Sequence, residues 1–137
     1  MDLQIKGKKA IMAGGSAGMG RATAERLAEA GVDLVITARR KERLEKAAEA
    51  ISAKYKVSVK PIVADSSKAE DRARLLQACP DPDILAITIK PPAPNGDFLK
   101  VTPDMWRESI DTALIGPIEL MRQYLSLIHI SEPTRLS

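Results

Sequence analysis

The chain has 137 residues, 45% hydrophobic and 28% charged, with 21 Lys and Arg against 18 Asp and Glu for a formal charge of +3. Such a chain buries roughly two thirds of its unfolded surface, enough for one core, and leaves no room for a separate substrate domain. The positive excess is spread out, the aromatics Tyr55, Phe98, Trp106 and Tyr124 are too few for a base-stacking platform, and no apolar run approaches the ~20 residues of a membrane helix, so neither nucleic acid nor membrane is an expected partner.

Met1 to Lys9 alternates charged with apolar residues and has no secretory apolar core, so a cytoplasmic location is expected. Cys79 has no second cysteine to pair with and reads as a reduced, packed thiol. No His and Cys cluster suggests a metal site.

Lys8 to Ala13 predicts a first strand, followed by Gly14-Gly15-Ser16-Ala17-Gly18-Met19-Gly20 and a helix with Ala22, Ala24, Leu27, Ala28 and Ala30, closed by Gly31. Val32 to Thr37 is the second strand, and Lys41 to Tyr55 a helix with Leu44, Ala47, Ala48 and Ile51 on one face. Val57 to Ala64, Lys68 to Ala78 and Asp83 to Ile89 continue as strand, helix, strand. Lys90 to Lys100, with Pro91, Pro92, Pro94 and Gly96, is a loop. Thr102 is an N-cap ahead of Pro103, opening a helix that turns Trp106, Ile110, Leu114, Ile118 and Met121 inward, with a kink at Gly116-Pro117. The alternation implies right-handed crossovers and a doubly wound α/β fold whose parallel sheet is covered on both faces, with about four strands and four helices.

Gly14, Gly18 and Gly20 directly follow a strand and open a helix. Glycines placed so serve a turn of positive φ, close backbone approach to a pyrophosphate and tight helix-on-strand packing. A nucleoside-triphosphate loop is excluded, because Arg21 and Ala22 stand where the phosphate lysine and magnesium hydroxyl belong. Nineteen residues past Gly20, where an acid would meet a ribose 2′-hydroxyl, stand Arg39 and Arg40. Guanidinium groups there suit a 2′-phosphate and hence NADP(H) rather than NAD(H); the other reading is two solvated arginines at a helix start. Asp65 ends the third strand, either to accept from an adenine amine or to cap the next helix.

Together Gly14-Gly15-Ser16-x-Gly18-x-Gly20-Arg21, Thr37-Ala38-Arg39-Arg40, Val63-Ala64-Asp65, Asp83-Ile84-Leu85 and Asp111-Thr112-x-Leu114-x-Gly116 resemble the short-chain dehydrogenase/reductase family from about Gly7 to Tyr124. The resemblance implies the N-terminal part of a Rossmann-type domain, residues 1–124, in an NADP(H)-dependent oxidoreductase. The implied cofactor contacts are Gly14, Ser16, Ala17, Gly18, Met19 and Gly20 at the pyrophosphate, Arg39 and Arg40 at the 2′-phosphate, and Asp65 and Ser66 at adenine. It also implies a homo-oligomer formed through the 102–124 helix.

The chain departs from the family pattern at several places. Ala13 replaces the Thr before the first glycine, and Ala17 replaces a basic residue common in NADP enzymes. Ile87-Thr88-Ile89-Lys90 stands for Asn-Asn-Ala-Gly, and Ala113 for an Asn that holds a relay water. Tyr55 and Tyr124 are followed four residues on by Val59 and Ile128, so neither forms the Tyr-x-x-x-Lys pair, and no catalytic residue is assigned. Residues 125–137, Leu125-Ser126-Leu127-Ile128-His129 onward, match the translation of a transposase-type sequencing adaptor end; this tail is expected to be foreign, and the chain an inactive fragment. Two alternatives remain: a non-catalytic Rossmann-type binding or scaffold protein, and an interaction module that pairs through the long helix.

Overall fold

A computed structural model of the chain describes residues 2–91 and 96–131, with side chains of the last helix as far as Leu127. The expected foreign tail beyond Ser131, and Pro92 and Pro94 of the expected loop, lie outside the described residues. The chain divides into two compact units, Met1–Asp65 with Asp81–Ile89, and Ser66–Pro80 with Lys90–Ser137.

The first unit holds β1 (Lys9–Ala13), α1 (Gly18–Glu29), β2 (Asp33–Ala38), α2 (Lys41–Tyr55), β3 (Val59–Val63) and β4 (Ile84–Ile87). The second holds α3 (Ala69–Ala78), a 3-10 turn at Phe98–Lys100, α4 (Pro103–Ile110), a π-helical segment (Asp111–Ile115) and α5 (Gly116–Ser131). The strands and the first three helices fall within a residue or two of those expected, whereas the last helix, expected to end at Tyr124, runs on to Ser131.

All four strands are parallel in the order β3-β2-β1-β4. The register pairs Ala13 with both Thr37 and Ile87, and Ala38 with Val63, so the carboxyl ends of the strands line up along one edge. Carboxylates close the opposite edge: Asp83 accepts from the Lys9 N–H and Asp33 from the Ser58 N–H, each at 2.9 Å. Side chains alternate along a strand, and Ala10, Met12, Leu34 and Ile36 form one core with Ala24 and Ala28 of α1 and Leu44, Ala47, Ala48 and Ile51 of α2. Each of the larger members contributes roughly 1.5–3 kcal/mol by leaving water.

Gly31 stops α1 as expected. It adopts φ +84°, donates to the Ala28 carbonyl, and lets the Val32 N–H reach the Leu27 carbonyl, satisfying carbonyls that the helix end would leave open.

In the second unit, Thr102 caps α4, accepting from the Met105 N–H at 3.3 Å, with Pro103 at the first turn. At Gly116-Pro117, where a kink is expected, the helical ladder is widened: the Gly116 N–H bonds the Asp111 carbonyl five residues back. The Pro117 ring would clash with the Ala113 carbonyl of a regular helix, and the wider turn removes that clash. One expectation about this helix is corrected: Trp106, Ile110, Leu114, Ile118 and Met121 do not face inward but are 43–53% exposed. The buried row is Thr112, Gly116, Leu120 and Tyr124, also four residues apart. Small groups lead that row because Gly116 lies against the Ser66 backbone, where a Cβ would come within 2.7 Å of the carbonyl oxygen.

Tyr124 fixes the other end of the row. Its buried hydroxyl donates to the Cys79 carbonyl at 2.9 Å, beside the buried Cys79 thiol, and lies 3.4 Å from the Leu75 carbonyl. Burial pushes the phenol pKa well up. A raised folded-state pKa means that the unfolded chain ionises first, so this contribution is complete below about pH 10 and is lost as pH rises toward the folded value. Tyr124→Phe is expected to cost about 1 kcal/mol at neutral pH and to flatten the decline in stability above pH 10, measured as urea unfolding of both proteins across pH 7–11.

Candidate functional site

The first candidate site is the turn between β1 and α1. As β1 ends, Gly14 takes φ +91°, and the N–H groups of Gly14 and Gly15 both point to the Thr37 carbonyl at 2.9 and 3.1 Å. On the other side, the Thr88 N–H bonds the Ala13 carbonyl at 2.9 Å. A Cβ on Gly14 would lie 2.8 Å from the Thr88 carbonyl oxygen. One on Gly20 would strike the Gly14 carbonyl oxygen and come within 2.5 Å of Thr88 Oγ1. These two glycines let the start of α1 lie directly on β1 and on the end of β4.

Gly18 answers a different demand. Its φ is +57° and a Cβ there would meet nothing within 4 Å, so the backbone conformation calls for glycine and the space beside it is open. Ala17 is the N-cap of α1, extended and without a capping side chain, and no acid lies in the first turn. The helix therefore presents its leading N–H groups and the positive end of its dipole to an open space without a side-chain acceptor. Ser16 and Ala17 are half-buried, whereas Met19 is exposed. This arrangement accommodates an anionic group close to the backbone.

Arg39 and Arg40 follow β2 on the same edge of the sheet. Both are exposed, neither forms a salt bridge among the described residues, and Arg40 is the N-cap of α2 without a side-chain cap. Asp65 is half-buried two residues past β3; α3 has Lys68 as its N-cap, so Asp65 is not that helix's N-cap residue. Ser66 belongs to the second unit, where it is buried and its carbonyl accepts from Arg72 Nη1 at 2.7 Å.

One contributor was not singled out in the sequence as part of the site: Thr88 stood out only as a departure, yet its buried Oγ1, without a hydrogen-bond partner among the described residues, faces the glycine turn. Among the described residues no group of three His, Cys, Asp or Glu residues is placed to hold a metal ion, and no helix is long and apolar enough to cross a membrane.

The family model described as short chain dehydrogenase matches residues 8–133. An uncharacterized oxidoreductase of Bacillus subtilis, YvaG, is 30% identical over 128 residues, covering 91% of this chain and 47% of its own length. The structure of L-sorbose reductase from Gluconobacter frateurii, complexed with NADPH and L-sorbose, matches with a TM-score of 0.85 at 25% identity, covering 96% of this chain and 51% of that one. A short-chain dehydrogenase from Sphingobium yanoikuyae in complex with NADPH matches at a TM-score of 0.79 and 28% identity, over 90% of this chain and 49% of that one. On this evidence the chain is a member of the short-chain dehydrogenase family, carrying its Rossmann-type parallel sheet, and it spans about half the length of these relatives.

The two kinds of glycine separate in their expected cost. Gly20→Ala forces α1 away from β1 and is expected to destabilise the protein by about 3 kcal/mol or more. Gly18→Ala meets only the left-handed backbone penalty of about 1–2 kcal/mol. Urea denaturation of both variants checks the order.

Proposed function

We propose that the chain binds NADP(H) at the β1–α1 turn and forms the dinucleotide-holding part of an oxidoreductase. The uncapped, acid-free N-terminus of α1 beside the open space at Gly18 carries this reading, and the NADPH complexes of its structural relatives support it. Backbone groups from Gly14 to Gly20, with Ser16, Ala17 and Met19, hold the pyrophosphate. Arg39, assisted by Arg40, meets the 2′-phosphate through charge-assisted hydrogen bonds. Asp65 accepts from the adenine amine. When bound, the nicotinamide supplies the hydride chemistry.

The residues of this chain hold and orient but do not deliver a proton. Tyr124 is committed to backbone carbonyls and its pKa is raised by burial, while Tyr55 has Val59 where the lysine partner would stand. We expect no carbonyl turnover from these 137 residues alone. Ala113 and the segment Ile87 to Lys90 favour a second reading, a non-catalytic binding or scaffold protein. A Tyr-x-x-x-Lys motif in any longer form of the protein would decide against it.

Amide-resolved NMR with NADP⁺ and then NAD⁺ is expected to shift Gly14 to Gly20, more strongly with NADP⁺, and separate samples given NADPH and a carbonyl compound are expected to show no NADPH oxidation. Arg39→Asp is expected to weaken NADP⁺ at least tenfold by calorimetry, about 1.4 kcal/mol, while leaving NAD⁺ unchanged or tighter. Equal losses for both nucleotides would return Arg39 to an ordinary surface role.

We also propose that the protein pairs through the 102–124 helix. The exposed row Trp106, Ile110, Leu114, Ile118 and Met121 supports this. Sedimentation at micromolar concentration is expected to give a dimer or larger, and Leu114→Asp a monomer; a monomeric wild type would exclude the pairing.

A further inference from the structure

Met12, Met19, Met105 and Met121 stand in very different surroundings. Met12 is fully buried in the core of the first unit, while Met105 and Met121 are 40% and 43% exposed. Met105 Sδ accepts from the Thr102 N–H at 3.5 Å, which engages a sulfur lone pair. Met19, in the first unit, is 79% exposed. It follows the N-cap Ala17 and Gly18 at the start of α1, so its own N–H is one of the leading donors of that helix. Gly20 takes the face of this turn that meets the strand ends, and Met19, about a quarter turn away, is left to solvent. Its backbone is tied down, because its carbonyl accepts from Thr23 Oγ1 at 2.8 Å.

Core packing gives no reason for a long thioether at this place. Chemically, the thioether is the side chain there that a mild oxidant can change. One added oxygen turns a flexible apolar group into a polar sulfoxide whose oxygen carries partial negative charge and accepts hydrogen bonds. The first turn of α1 has no acid and no capping side chain. A sulfoxide brings an acceptor to that turn, where it competes with an anionic ligand for the same N–H groups and the same end of the dipole.

We propose that Met19 is a reversible oxidation site that regulates anion binding at the β1–α1 turn, the sulfoxide form holding the dinucleotide more weakly. This deepens the NADP(H) reading above and rests on it. The oxidant is a peroxide. The sulfur lone pair attacks one peroxide oxygen, the O–O bond breaks as the S–O bond forms, and the proton on the transferred oxygen passes to the departing hydroxide, which leaves as water. Sulfur is oxidised by two electrons and the peroxide reduced by two. Two thiols reverse the step, becoming a disulfide while the oxygen leaves as water, the reaction class of the methionine sulfoxide reductases.

The test treats the full chain with hydrogen peroxide, maps the added oxygen by peptide mass spectrometry and measures NADP⁺ binding by calorimetry. Met19 is expected to gain oxygen before Met12, Met105 and Met121. The Kd for NADP⁺ is expected to rise about two- to fivefold, the factor that a group at a helix terminus is worth, and to return after treatment with sulfoxide reductases A and B and dithiothreitol. Met19→Leu, compared only with itself before and after peroxide, is expected to keep its Kd. Oxidation that reaches another of these methionines first, an unchanged Kd once Met19 is oxidised, or an equal rise in Met19→Leu overturns the inference. If peroxide unfolds the chain, Met19→Gln, whose side-chain carbonyl is an acceptor of similar reach, is compared with Met19→Leu: weaker binding by the Gln variant supports the inference and equal binding overturns it. Absence of NADP⁺ binding before any oxidation overturns the NADP(H) reading and this inference with it, whereas tight binding that oxidation of Met19 does not alter overturns this inference alone.

Discussion

One close approach governs the first unit: the start of α1 lies so near the ends of β1 and β4 that position 20 has no room for a methyl group beside the Gly14 carbonyl and Thr88 Oγ1. Interiors are packed nearly as densely as organic crystals, and a contact of this kind gives way only by moving whole elements. Because it cannot give way, the first turn of α1 is held at the carboxyl edge of the sheet. The same contact fixes the helix dipole relative to the neighbouring strand ends, where the register sets Arg39 and Asp65. The electrostatic character of this edge is thus a consequence of a steric constraint.

The second unit uses a related device with a different partner. Gly116 is small for the sake of a carbonyl, that of Ser66, and the π-helical segment before it accommodates Pro117 without breaking the helical course. Tyr124 completes the buried row by bonding the carbonyls at the end of α3. Side chains that look best suited to a core, Trp106 and Ile110 among them, are left on the outside. A helix buries the row that permits close approach, and backbone contact favours small residues over large apolar ones.

The chain offers, at the strand ends, groups that can hold an anion. Main-chain N–H groups, a dipole and exposed arginines suit an anionic dinucleotide. Its tyrosines lack the lysine that would lower a phenol pKa, and the buried one is shifted in the opposite direction. The chain spans about half of each relative it resembles.

Much of the fold was legible in the residues themselves. Strand and helix periods, the Gly31 stop, the Thr102 cap and the glycine spacing are local signals, each decided by backbone conformation or by hydrogen bonds between near neighbours. Arg39 and Asp65 were legible as candidates because their distance from a strand end is a matter of sequence count. Which apolar row of the last helix turns inward, why Gly116 is required and what Arg72 holds were not legible. Those depend on a carbonyl about fifty residues away for Gly116 and on the path of a turn for Arg72. The sequence by itself determined the alternation of elements and the chemistry available at the strand ends. Only the tertiary structure decided which surfaces meet, because helical periodicity shows that a row is apolar but not how near another backbone will come.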